Sequence, residues 1–267
     1  AKSGYGLNVE TELRALEVYE TLRHRQPVRL VSTLLAAHVV PPEYADRRRD
    51  YLDLVCRDLI PEVARRGLAR FCDVFVEESA FTSDEAQTIL RCAREHGLGV
   101  KLHVDQLTDG GGAALAAHLH ATSADHLECV SAGGIARLAS AGTIAVTLPL
   151  AALYLGRPVA PARDLIAAGV PVAVATDFNP GTAPTYHLPL AMLLAATMQR
   201  MTPAEVLKGV TIYAARAIGE ETAVGSLEPG KRADFAIIDA ADVNHWIYHF
   251  TANSCVATYI GGAVFYR

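Results

Sequence analysis

The feature that most constrains the fold of this chain is a regular alternation of short apolar segments with helical segments. Helical patterns follow the apolar segments at the length needed to cross from one parallel strand to the next. The alternation therefore predicts an α/β protein built on a parallel sheet. The predicted strands are Val28–Leu35, Phe71–Val76, Gly99–Val104, Ala124–Leu127, Thr143–Leu148 and Pro171–Thr176. The predicted helices are Val9–Arg25, Asp46–Arg66, Ser83–His96, Gly112–His120, Gly134–Ala141, Arg163–Ala168, Leu188–Arg200 and Pro203–Ile218.

The number of strands predicts the type of sheet. Six strands are complete, and Lys2–Gly6 has the pattern of the C-terminal end of a seventh. A closed (β/α)8 barrel of the TIM type needs eight, so the count predicts such a barrel lacking its first strand. From Gly225 onward the chain is rich in turn residues, with a short apolar run at Asp234–Ile238 and a hairpin pattern at Cys255–Tyr266. We therefore predict a barrel over residues 1–224, incomplete at its N-terminus, and a small β-sandwich-type appendage over residues 225–267.

Composition narrows the class of protein. A hydrophobic share of 51% suits strands that are buried on both faces. The net charge of −5 gives no reason to expect nucleic acid or an anionic membrane as a partner. The five cysteines form no CxxC pair, which favours reduced thiols over disulfides. With no apolar run near the ~18 residues of a membrane span and no signal peptide, the sequence predicts a cytoplasmic protein.

Polar side chains fall where the predicted strands end, which is where barrels of this type carry their chemistry. They are Tyr5, His38, His103, His126 and Asp177. Neutral imidazole and carboxylate are good ligands for zinc or iron. A single histidine after a strand is more often structural, but His103 and Asp177 in one barrel, with His126 between them, favour a metal site.

Two other histidine pairs fit a metal site less well. His118 and His120 lie in a predicted helix, where residues two apart point in different directions and cannot hold one ion together. His245 and His249 have i,i+4 spacing but lack the glutamate of zinc proteases, which favours surface or interface histidines.

The loop Asp177–Thr182 is the most specific stretch of the sequence. Its proline and glycine tighten the loop, which is expected to leave the Asn179 amide and the Thr182 hydroxyl free to face a ligand. An ordinary βα turn is the alternative interpretation. The glycine run at Gly110–Gly112 is not the GxGxxG pattern of a nucleotide fold.

Together these residues resemble the imidazolonepropionase family of the amidohydrolase superfamily. The resemblance extends along the whole chain and corresponds to about the last two thirds of a typical member. The motifs that carry it are Lys2–Leu7, Ala37–Tyr44, Lys101–Gln106, Ser123–Glu128 and Val174–Thr182. The closing Pro229–Asp234 is general to amidohydrolases.

The resemblance implies an enzyme of histidine degradation. Members hydrolyse the cyclic amide of 4-imidazolone-5-propanoate to N-formimino-L-glutamate with a metal-activated water. They bind one zinc or iron ion through an HxH pair on the first strand, a later histidine and a later aspartate. The last two correspond to His103 and Asp177, and the HxH pair has no counterpart in this sequence.

The resemblance also implies roles for individual residues. Asp177 would transfer protons, His126 would polarise the substrate oxygen, and Gln106 takes the place of a proton-shuttling glutamate. The implied substrate contacts are Tyr5, His38, His126, Asn179, Gly181 and Thr182.

Other functions stay open at this stage. Another amidohydrolase, such as a cytosine- or guanine-deaminase-like enzyme, would share the same histidine and aspartate types. A protein that kept the binding pocket without the metal would be non-catalytic. Besides a small-molecule substrate, the expected partner is a second copy in a homodimer, or the missing N-terminal segment.

Overall fold

The main layer of the protein is a six-stranded parallel sheet in sequential strand order, β1 to β6. The structure is a computed structural model and describes residues 1–250 and 253–266. All six predicted strands are present, and the largest difference is that β1 begins at Thr33 rather than Val28. The strands are β1 Thr33–Ala37, β2 Phe71–Val76, β3 Gly99–Val104, β4 Ser123–His126, β5 Ile144–Thr147 and β6 Val172–Val174.

The N-terminal residues run beside β1. Lys2 forms an isolated parallel bridge with Thr33, and the Ser3 N–H donates to the Thr33 carbonyl over 3.1 Å. The chain then turns at Gly4, whose φ is +121° and where a Cβ would lie 2.8 Å from the carbonyl oxygen of Leu35. Only glycine fits such a backbone and such a contact. The predicted seventh strand is thus a single bridge in this structure, and the absence of a first strand stays a prediction.

Helices follow the strands and most of them pack against the sheet; α7 was not predicted, and the predicted helix Pro203–Ile218 is divided into α10 and α11. Capping boxes at Thr82 and Thr202 begin two of the helices, α4 and α10. The predicted helix Asp46–Arg66 is instead α2 and α3, joined by the π-helical turn Val55–Leu59. The helices of this part are α1 Val9–Arg25, α2 Arg48–Leu54, α3 Ile60–Arg66, α4 Ser83–Glu95, α5 Gly112–His118, α6 Ala132–Ala141, α7 Pro149–Leu155, α8 Ala162–Ala167, α9 Leu188–Thr197, α10 Pro203–Val210 and α11 Ile212–Ala217.

The two faces of the sheet differ in polarity. Side chains alternate along a strand, so Val74 and Leu102 lie on one face and enter the apolar core with helix residues such as Ile89. The opposite face carries buried polar groups, among them Asp73 and Lys101, which are neighbours in the β2–β3 register. The interior of the strand layer is therefore charged rather than filled only with aliphatic side chains.

A second, antiparallel sheet is formed by the last part of the chain. Its strands are β7 Phe235–Ile238, β8 Cys255–Ile260 and β9 Ala263–Tyr266, and the predicted hairpin turns at Gly261 and Gly262. A helix that the sequence pattern does not predict, α12 (Val243–Tyr248), separates β7 from β8 and packs against α9. Division at residue 225 into a barrel and a sandwich-type appendage remains a prediction, and Thr251, Ala252 and Arg267 of that appendage lie outside the described residues.

Among residues 1–250 and 253–266, no helix combines the length and the apolar character needed to cross a bilayer.

Candidate active site

Three side chains converge at the carboxyl ends of the strands. His103 lies near the end of β3, His126 ends β4 and Asp177 follows β6. Each offers one possible metal-ligand atom, and these atoms all lie within 4.8 Å of one another. Two imidazoles and a carboxylate at this separation match the ligand types of a zinc or iron site. The structure therefore brings together the three residues that the sequence predicts as the centre of the site.

Left-handed backbone directs two of these side chains into the site. His126 has φ +82° and Asp177 has φ +53°. Such values are uncommon for residues other than glycine and cost of order 1–3 kcal/mol each. Strand alternation alone would place His126 on the face of its register partner Val104, but its ring centroid lies 5.4 Å from that of His103. The local turn therefore overrides the alternation.

A buried ionic network lies behind His103, and the sequence analysis did not predict it. His103 Nδ1 is 3.1 Å from the carboxylate of Asp73. Lys2 Nζ donates to Asp73 over 2.7 Å and to Asp125 over 2.5 Å. Ser123 Oγ donates to the other oxygen of Asp125 over 2.7 Å. The one feature of the sequence that could have indicated this network is the presence of charged residues inside otherwise apolar strands.

The network keeps both aspartates ionised. Burial alone would raise the pKa of Asp73, but its contacts with His103 and Lys2 hold that pKa far below its usual value. Burial likewise opposes ionisation of Asp125, and the charges of Lys2 and Lys101 lower its pKa instead. For Lys2, burial would lower the pKa, while Asp125 and Asp73 raise it above its usual value. Lys2 is therefore a permanent cation at this position.

Two groups of side chains in this region could hold a metal ion, and the Lys2 ammonium occupies one of them. Asp73, His103 and Asp125 also have ligand atoms within 4.8 Å of one another. Their carboxylates, however, already bind the Lys2 ammonium. A second cation there would be repelled, so the position that fits a metal ion is the one at His103 and Asp177, with His126 beside them.

A carboxylate also lies behind His126. Glu128 Oε1 is 3.5 Å from His126 Nδ1, and the two side chains are only 3% and 4% exposed. Burial would lower the pKa of His126, but the nearby Glu128 carboxylate raises it above its usual value. The Glu128 carboxylate therefore favours the protonated form of His126, in which the ring can donate a hydrogen bond.

The predicted substrate residues Tyr5 and His38 lie at the rim of the site. Their rings meet edge to face with centroids 5.2 Å apart. Glu12 of α1 fixes the turn that carries Tyr5, because its Oε1 accepts the N–H groups of Gly4 and Gly6. Burial, and then the charge of Asp177, raise the pKa of Tyr5. Burial lowers the pKa of His38, which keeps that ring neutral.

Phe75 is a further ring at the mouth that the sequence analysis missed. Its centroid lies 5.8 Å from that of His38 and 6.2 Å from that of His103. It therefore joins the rim residues to the candidate metal ligands.

Asp177 and Lys2 also lie on the wall of a cavity of about 1010 Å³, whose other walls are mostly apolar. This is the size range of a ligand pocket.

The loop after β6 differs from its prediction in one respect. The Asn179 amide is not free, because its Oδ1 accepts the N–H groups of Gly181 and Thr182 over 2.8 and 2.7 Å. Its Nδ2 donates to the Asp177 carboxylate over 3.1 Å and to the Thr182 hydroxyl over 3.0 Å. An Asx-type turn satisfies the amide locally. Substrate contacts by Asn179, Gly181 and Thr182 stay predictions.

We expect the Asn179→Ala variant to loosen this loop. Each hydrogen bond lost is worth about 1 kcal/mol, so amide hydrogen exchange at Gly181 and Thr182 should quicken about fivefold. Exchange measured by mass spectrometry checks this, with the exposed Asn244→Ala in α12 as the control. Unchanged exchange in the Asn179 variant would show that the loop holds without its amide.

The other candidate residues lie apart from this centre. Gln106 is half-buried two residues beyond β3, and in the described part of the chain its side chain makes no hydrogen bond to another candidate residue. His118 ends α5 and His120 follows it with φ +44°, both exposed, as expected for residues that are not ligands. His245 of α12 and His249 just after it are both exposed, and their ring centroids lie 4.4 Å apart.

Comparison with known proteins gives the class. The sequence matches the amidohydrolase family over residues 4–266, and the chain belongs to that family. It is 51% identical over 264 residues to the imidazolonepropionase of Geobacillus thermodenitrificans, covering 99% of this chain and 62% of that protein. It is 45% identical over 267 residues to that of Fusobacterium nucleatum, covering 100% and 64%. The resemblance seen in the motifs is confirmed, and the chain spans a little under two thirds of the length of these curated relatives.

Solved structures support the fold. An adenosine deaminase from Xanthomonas campestris with bound zinc superposes with a TM-score of 0.73 at 18% identity, over 94% of this chain and 64% of that one. An N-isopropylammelide isopropylaminohydrolase from Burkholderia multivorans gives 0.71 at 21% identity, over 100% and 69%. At such identities the likeness concerns the fold alone. It confirms the predicted class, that of the amidohydrolase barrels.

Proposed function

We propose that this protein hydrolyses the ring amide of 4-imidazolone-5-propanoate to N-formimino-L-glutamate, a step of histidine degradation. The observation that carries the proposal is the convergence of His103, His126 and Asp177 within 4.8 Å. It occurs in a chain that is 51% identical to an imidazolonepropionase over 99% of its length. Fold and site together favour hydrolysis of a carbon–nitrogen bond.

The residues that would hold a metal ion are His103 and Asp177, with His126 beside them. Either zinc or iron is compatible with this donor set. When bound, the ion supplies a water of lowered pKa at the site.

Proton transfer is assigned to Asp177. Its carboxylate accepts a proton as water adds to the ring carbonyl carbon. When the carbon–nitrogen bond breaks, Asp177 returns that proton to the departing ring nitrogen. The left-handed backbone at Asp177 and the hydrogen bond from Asn179 Nδ2 hold the carboxylate toward the site.

Charge stabilisation is assigned to His126. The Glu128 carboxylate lies at its Nδ1 side and favours the protonated ring. The opposite nitrogen can therefore donate to the carbonyl oxygen on which negative charge develops. At Gln106 an amide forms hydrogen bonds but cannot shuttle a proton, so we assign that residue to holding water or substrate.

Recognition of the substrate is assigned to the rim and the loop. Tyr5 and His38 would pack on the imidazolone ring and bind its polar edge. Thr182 and the backbone of Gly181 lie at the mouth beside Asp177, and Asn179 arranges both. Phe75 closes the side between His38 and His103.

The experiment is a product assay on the purified, metal-loaded protein. We expect N-formimino-L-glutamate to form, with about one metal ion bound per chain. Release of ammonia from a cyclic amidine or nucleobase instead would assign the protein to the deaminase-like amidohydrolases. Metal-loaded protein that hydrolyses neither type of substrate would contradict the proposed enzymatic activity and favour a non-catalytic binding role.

A further inference from the structure

We propose that Asp73 is a positioning residue for the candidate metal site, because it holds His103 by Nδ1 and leaves Nε2 directed toward His126 and Asp177. The inference rests on the proposed function in that it takes these residues as the metal site. Asp73 itself, however, is not among the residues that the sequence predicts for the site.

The contact itself is close and fully enclosed. His103 Nδ1 lies 3.1 Å from Asp73 Oδ1, and the Asp73 side chain is 0% exposed. A neutral imidazole carries its proton on one nitrogen only. A carboxylate at Nδ1 draws the proton to that atom and leaves the Nε2 lone pair for a metal ion.

The strand register explains why the ring points as it does. Phe75 is the direct neighbour of His103 in the β2–β3 pairing, and Asp73 lies two residues earlier on the same face. The carboxylate therefore lies deeper in the strand layer than the ring. On the side of the carboxyl ends, the His126 ring centroid lies 5.4 Å from that of His103, and Asp177 offers a ligand atom within 4.8 Å of those of both histidines.

Lys2 and Asp125 keep Asp73 in this orientation. Lys2 Nζ binds Asp73 Oδ2 over 2.7 Å and Asp125 Oδ2 over 2.5 Å. Asp73 cannot rotate toward another partner without losing either the ammonium or the imidazole. The ammonium also prevents Asp73 from acting as a ligand itself, so its effect on a metal ion passes through His103.

A matched pair of variants separates positioning from mere stability. Asp73→Asn and Asp125→Asn each neutralise one buried carboxylate that contacts Lys2, but only Asp73 bonds to His103. We expect Asp73→Asn to weaken zinc affinity of the full chain about 10–100-fold. Asp125→Asn should change it less than about threefold, since no ligand loses its partner. Competition against a chromogenic zinc chelator measures both values.

Two further measurements keep the test decisive. In the zinc-loaded protein, nitrogen-15 spectra should show the Nδ1–H tautomer at His103, and Asp73→Asn should alter that signal while Asp125→Asn preserves it.

If Asp73→Asn does not fold, Lys2→Met combined with Asp73→Leu removes both charges together and should show the same loss of affinity. Equal affinities in the Asp73 and Asp125 variants, or a wild-type chain that binds no zinc, would overturn the proposal. Zinc binding without turnover would instead overturn only the proposed reaction.

Discussion

Replacing Asp177 by asparagine is expected to lower kcat for the imidazolone substrate by about 10²–10⁴-fold, the usual contribution of a general acid–base group. Asparagine has the same shape and still accepts the hydrogen bond from Asn179 Nδ2, so the loop should keep its conformation. What it cannot do is accept and return a proton. Steady-state kinetics on metal-loaded protein give kcat, and metal analysis of the same samples shows whether the ion is retained.

A second aspartate provides the control for this variant. Asp109 is exposed in the loop after β3, and its carboxylate accepts the Gly111 N–H over 3.4 Å, its one hydrogen bond within the residues that the structure describes. Asp109→Asn should therefore keep kcat close to the wild-type value. A metal-loaded Asp177→Asn enzyme with nearly normal kcat would show that another group transfers the proton. Loss of the metal together with activity would assign Asp177 chiefly to ion binding.

Much of the fold could be predicted because burial imposes its pattern on the sequence. The six parallel strands follow from apolar runs in the sequence, and the capping boxes at Thr82 and Thr202 mark where two of the helices between and after them begin. Helix α7 was missed because Pro149–Leu155 continues the apolar run of β5, and only the proline in its first turn marks its start. Helix α12 was missed because its six residues are too few to show a period.

The candidate site could be predicted only in part, because its partners are distant in sequence. His103 and Asp177 follow from their positions after strands. The contacts of Lys2 with Asp73 and Asp125 join residues 71 and 123 positions apart, and no local pattern reports them. The Asn179 amide was expected to face a ligand, whereas the loop's own N–H groups use it. The tight turn suggested a ligand site, but the same turn uses the Asn179 amide for its own hydrogen bonds.

The second large effect is expected on stability, from replacing Lys2 by methionine. The charges of Lys2 and Lys101 are balanced by those of Asp73 and Asp125, and both aspartates are nearly or fully buried. Methionine fills a similar volume but leaves two carboxylates without their ammonium. Breaking a buried ion pair from one side costs about 3–5 kcal/mol. Urea denaturation at pH 7 should show a loss of this size, while the exposed Lys208→Met should change stability by no more than about 0.5 kcal/mol.

The pH dependence of this loss has a definite sign. The pKa values of Asp73 and Asp125 lie below their usual range in the folded protein. Their stabilising contribution is therefore present above the unfolded pKa of about 3.9 and is lost as pH falls through the folded pKa. Without Lys2 the carboxylates protonate more readily, so the difference between wild type and variant should shrink as pH falls toward 4. A constant difference across that range would mean that Lys2 stabilises by packing alone.

A double-variant cycle identifies the partner of the lost charge. If Lys2→Met is costly because Asp125 is left unpaired, then adding Asp125→Asn should recover part of the stability rather than add a second loss. Residues in direct contact commonly deviate from additivity by about 0.5–3 kcal/mol. Simple addition of the two losses would contradict the assignment. Partial recovery would mean that the charged interior beneath His103 depends on pairing between the N-terminal residues beside β1 and the interior strand β4.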